Sequence, residues 1–99
     1  LSDEALLSSL RPDANLSNNA YLLKCFEYSV KSNTYRILRD ERGAPCGYII
    51  WANVNRESIQ RIIRSGAYPS FIYEWREGNI TLLIDIFNKK TYFVLYFFK

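Results

Sequence analysis

The sequence predicts an α+β domain, a mainly antiparallel sheet with helices packed on it, in the order ααββαβββ. Three observations carry this. Apolar residues recur at helical spacing up to about residue 31, and the period drops to two after Asn33. The later apolar runs are separated by stretches such as 76–78 and 88–90, too short to cross between parallel strands. With 99 residues and a hydrophobic fraction of 48%, the chain suits one compact domain spanning residues 1–99.

Ser2 can cap a first helix, and Asp3 and Glu4 favour the positive end of its dipole. Leu6, Leu7 and Leu10 supply its apolar side, and Pro12 stops it. Ser17 or Asn18 would cap a second helix running to about Lys31, with Leu22, Leu23, Phe26 and Val30 facing inward. Residues 35–39 read as a strand, 40–43 as a glycine-bearing turn and 46–54 as the returning strand. Both faces of that second strand are largely apolar, which predicts a central position. Asn55 caps a third helix over 56–65, carrying Ile59, Ile62 and Ile63 at helical spacing, and Gly66 ends it. Residues 71–75, 79–87 and 91–98 read as three further strands joined by hairpins.

Composition excludes several function classes. The net charge is only +3, and the basic residues Arg36, Arg39 and Arg42, then Arg56, Arg61 and Arg64, are scattered rather than striped. They read as a solvated surface rather than a nucleic-acid interface. No stretch approaches the roughly 20 apolar residues of a membrane span. No secretory signal is visible, and Cys25 and Cys46 lack CxxC spacing. A cytoplasmic protein with two buried thiols is the resulting expectation. The chain contains no histidine, so neither a Ser-His-Asp nor a Cys-His nucleophile pair can form, nor a histidine-based zinc site. Nothing in the residues asks for a cofactor or metal.

The strongest motif is the run Pro45, Cys46, Gly47, Tyr48, Ile49, Ile50, Trp51, Ala52 and Asn53. It resembles a strand of the toxin-activating lysine acyltransferases, GNAT-like bacterial enzymes that fatty-acylate pore-forming RTX toxins. Trp75, Gly78 and the run Leu83, Ile84, Asp85 and Ile86 are similar to that family's next strand pair, so the resemblance covers about 33–87. It implies a catalytic role for Asp85, acyl carrier protein as acyl donor and a toxin lysine as acceptor. Two departures accompany it. The family keeps a histidine before the second helix, and the corresponding region 14–19 has none. The family also continues further after the aspartate strand than this chain does.

Asp85 is expected on one strand face with Thr81, Leu83 and Phe87, where a carboxylate in a cleft is a candidate general base. The alternative is an edge carboxylate paired with an arginine. Tyr48, Trp51 and Asn53 are candidate site-lining residues, with core filling and strand-end hydrogen bonding as the structural alternatives. Cys46 lacks a base to activate it as a nucleophile. The last predicted strand is apolar on both faces and carries Tyr92, Val94, Tyr96 and Phe98 on one of them. It is either a buried strand or a protein interface, including one between two copies of the chain.

Two functions follow. The first is a reduced relative that has lost catalysis and binds a protein partner as a regulator or inhibitor. The second is an active acyltransferase using Asp85, with a second chain completing the site and Arg56, Arg61 and Arg64 meeting the acidic carrier protein.

Overall fold

A computed structural model of the chain describes residues 2–11, 20–66 and 69–89. These form three helices, a three-stranded antiparallel sheet and one 3-10 turn, an α+β arrangement. Helix α1 spans Asp3–Ser9 and is capped by Ser2, whose hydroxyl accepts the Ala5 N–H at 3.1 Å. It delivers Leu7 and, just past its end, Leu10 into the core.

Helix α2 spans Ala20–Lys31 and buries Leu22, Cys25, Phe26 and Ser29. Those positions fall at i, i+3, i+4 and i+7, one helical stripe. Leu23, expected inside, lies about 100° around the helix from that stripe and is exposed. The helix ends at Asn33, which adopts φ 57°. The N–H groups of Asn33 and Thr34 fold back onto the carbonyls of Val30 and Ser29. This is a Schellman close with asparagine in the left-handed position.

Strand β1 (Tyr35–Arg39) pairs antiparallel with β2 (Pro45–Val54), and β2 pairs antiparallel with β3 (Ile80–Asn88). The order β1-β2-β3 makes β2 central, as its two apolar faces predict. Tyr48, Ile50, Ala52 and Val54 of β2 are buried on one face, together with Leu7, Leu10, Leu22 and Phe26 from the helices. Alternation along the strand therefore separates a helix-covered face from the face that carries Ile49, Trp51 and Asn53.

Helix α3 spans Arg56–Ser65, with Asn55 accepting the Ser58 N–H at 2.8 Å. The Gly66 N–H closes it onto the Ile62 carbonyl. Of its isoleucines, Ile59 packs against the core, whereas Ile63 is 76% exposed.

Residues 71–75 are not the strand their composition suggests. Ile72–Trp75 is a 3-10 turn. Two forces override the β-propensity of this aromatic run. The Glu74 carboxylate accepts the N–H groups of Ser70 and Phe71 at 2.9 and 3.2 Å, which curls the backbone. The three-residue period also puts Ile72 and Trp75 on one side. Trp75 is fully buried, edge-on to Tyr28, with its indole N–H donating to the Pro69 carbonyl.

No hairpin therefore forms across residues 76–78. The segment instead docks on the end of β2, where the Gly78 N–H donates to the Asn53 carbonyl at 3.1 Å. A Cβ on Gly78 would lie 1.9 Å from the Val54 carbonyl carbon, so only glycine fits there. The final predicted strand, 91–98, lies outside the described residues.

Candidate functional site around Asp85

Perfect alternation along β3 would set Asp85 on the face of Thr81 and Leu83. The strand contains a bulge instead. Leu83 pairs with Trp51 and Asp85 pairs with Ile50, leaving Ile84 as the extra residue. A bulge breaks the period of two. Asp85 and Phe87 consequently share the helix-covered face with Ile50 and Tyr48, while Thr81 and Leu83 sit on the opposite face with Asn53 and Trp51.

On the covered face Asp85 meets Arg11, which follows the end of α1. Arg11 Nη1 lies 2.5 Å from Asp85 Oδ2 and also donates to Tyr48 Oη at 3.0 Å. The Tyr48 hydroxyl donates to the same Asp85 oxygen at 2.6 Å. The Arg11 guanidinium lies over the Phe87 ring, 5.6 Å from its centroid. Tyr48 is fully buried, edge-on to Phe26 with centroids 5.3 Å apart. The side chains of Arg11 and Asp85 remain 30% and 26% exposed, so the cluster sits at the rim of the core rather than within it.

Burial, reinforced by the hydrogen bond to Asp85, pushes the Tyr48 phenol well above its usual range. Tyr48 is thus a hydrogen-bond donor rather than a base. Burial also pushes the Cys25 thiol up to about 12, with the charge of Asp85 adding to the effect. Neither group supplies a nucleophilic anion near neutral pH. Cys25 and Cys46 are both free and buried.

The four candidate site residues divide between the sheet faces. Asp85 and Tyr48 are joined by a hydrogen bond. Trp51 and Asn53 lie on the other face, where Asn53 Oδ1 accepts from the Thr81 hydroxyl at 3.4 Å. Gly47, also in the motif, has a packing role, since a Cβ there would meet the Phe87 carbonyl oxygen at 2.2 Å. The proposed interface residues Tyr92, Val94, Tyr96 and Phe98, and the segment 14–19, lie outside the described residues.

Arg11 is the member that sequence reasoning missed. Its place beside the helix stop at Pro12 was the available signal, but its partner is 74 residues away in the chain. Of the basic residues expected to meet a carrier protein, Arg61 is engaged by the buried carboxylate of Glu74.

Among the described residues no helix is long and apolar enough to cross a membrane, and no three metal-ligating side chains are grouped to hold an ion. No protein-family model matches the chain, and searches of curated proteins and of solved structures also return no match.

Proposed function

We propose that this chain is a non-catalytic relative of the toxin-activating lysine acyltransferases that acts by binding a protein partner, as a regulator or inhibitor. The observation that carries the reading is the engagement of Asp85 by Arg11 and Tyr48. A general base must offer a lone pair to the proton it removes. The candidate carboxylate receives two donors on Oδ2, one of them a guanidinium that balances its charge, so that oxygen is committed to contacts within the fold. This is how a polar tertiary clamp is built, and it ties the end of α1 to β2 and β3. The absence of histidine from the sequence points the same way.

The test is direct. The protein is incubated with fatty-acyl carrier protein and a lysine-bearing acceptor, and acylation is followed by mass spectrometry. No transfer is expected. Transfer that disappears in Asp85→Asn, while the variant stays folded, would establish the active acyltransferase instead.

A further inference from the structure

The chain carries a net charge of +3, yet one surface runs against it. A groove of about 240 Å3 opens between α3 and the 3-10 turn, and its lining includes Glu57, Tyr73 and Glu77. The charges along it are of two kinds. Glu74 and Arg61 form an ion pair and neutralise each other. Among the described residues Glu77 accepts from the neutral Asn55 amide, at 2.8 Å, and neither Glu77 nor Glu57 forms an ion pair. The groove therefore presents two exposed carboxylates without an ion-pair partner among the described residues.

Beside them the Tyr73 ring stacks on Phe71, with centroids 5.4 Å apart and planes 14° apart. The two residues are 55% and 51% exposed. A stacked aromatic pair left in water is an unusual use of surface, since aromatic side chains contribute most when they are covered. An aromatic face attracts a guanidinium or ammonium group, and a neighbouring carboxylate adds charge-assisted hydrogen bonds. The aromatic pair and the carboxylates thus ask for the same ligand chemistry. A bare metal ion does not fit, because no three metal-ligating side chains are grouped among the described residues. The cation has to arrive on an organic chain.

We propose that the groove between α3 and the 3-10 turn is a docking surface for an arginine- or lysine-bearing segment of a protein partner, with Tyr73 receiving the cation's face and Glu57 and Glu77 its hydrogen bonds. The proposal rests on the protein-binding reading above and gives it a partner chemistry. Asn55 and Gly78 serve as positioning residues. Asn55 caps α3 and holds Glu77, and Gly78 lets the segment carrying Glu77 lie against the end of β2.

The experiment titrates the whole chain against a short fluorescein-labelled peptide rich in arginine and lysine. The control peptide has the same length, with citrulline and acetyl-lysine in their place. The basic peptide should bind more tightly, and added salt should weaken it. Glu57→Gln with Glu77→Gln should weaken binding about 10-fold, and Tyr73→Ala about 3-fold. Thermal midpoints of these surface variants should stay at the parent value, which separates lost contacts from lost folding.

No binding of the basic peptide, equal affinity for the neutral peptide, or unchanged affinity in the carboxylate double variant would each overturn the proposal. The acyl-transfer assay is run in parallel. Absent peptide binding with absent transfer defeats the groove alone. Transfer that depends on Asp85 defeats the non-catalytic reading while the peptide titration still decides the groove.

Discussion

The Arg11–Tyr48–Asp85 cluster and the groove beside α3 both contain carboxylates and aromatic rings, but their polar groups have opposite circumstances. In the cluster the carboxylate faces a guanidinium and a phenol, and the phenol is fully buried between aromatic rings. In the groove two carboxylates have no ion-pair partner among the described residues, and a stacked ring pair stands more than half exposed. Polar groups paired with one another at the rim of a core hold a fold together. Unsatisfied charge beside exposed aromatic surface leaves interaction free energy for a partner. On the two proposals above, the residue types that suggest catalysis serve the fold, and recognition belongs to the groove.

The largest expected effect breaks the support of the groove. Gly78→Ala should destabilise the protein by about 3 kcal/mol, because the added Cβ collides with the backbone of Val54 and Asn55. Urea unfolding would measure it, and a loss below about 1 kcal/mol would show that the loop can move away from the sheet at little cost.

Alkaline pH should come next, and it reaches two raised acids on the cluster side. The Cys25 thiol rises from its ordinary value of 9.0 to about 12, and the Tyr48 phenol is also raised, both chiefly by burial. A raised acid keeps its proton in the folded chain while the unfolded chain releases it. The associated stability is complete below the unfolded pKa and is lost as pH climbs through the folded one. Stability should therefore fall above about pH 9, with a slope near 1.4 kcal/mol per pH unit for each titrating group. Equilibrium unfolding between pH 8 and 11 tests this, and Cys25→Ala with Tyr48→Phe should flatten the slope.

Within the cluster, Asp85→Asn should cost about 2 kcal/mol and Tyr48→Phe about 1 kcal/mol, since a charged acceptor is worth more than a neutral donor. The two side chains are joined by one hydrogen bond, so the double variant should lose less than the sum. Strict additivity in that cycle would mean that the hydrogen bond between them carries no stability. The smallest effect is expected in the groove. Glu57→Gln with Glu77→Gln should change stability by less than about 0.5 kcal/mol, because neither exposed carboxylate is ion-paired among the described residues. A large loss there would assign those carboxylates to folding and erase the contrast between the two regions.

Local chemistry was legible wherever the signal was local. Ser2 and Asn55 cap their helices through their own side chains, Gly66 stops α3, and β1 begins at Tyr35 and ends at Arg39 as its period of two predicts. The central place of β2 follows from its two apolar faces. Each of these depends on residues a few positions apart, whose spacing the sequence displays.

Three features were not legible in that way. Residues 71–75 have strand composition, but the Glu74 carboxylate and the burial of Trp75 curl them into a 3-10 turn. The outward turn of Leu23 follows from which stripe of α2 meets the sheet, since either rotation would bury some apolar residues. The face of Asp85 depends on the bulge at Ile84, which strand pairing alone reveals.

By itself, the sequence determined the α+β class, the capped helices, the central strand and the lack of any histidine. The tertiary structure alone decided that Asp85 turns towards Arg11 and Tyr48 while Trp51 and Asn53 face the other way. The physical reason is the period of two. One extra residue in a strand reverses every side chain beyond it, and composition contains no record of where that residue falls.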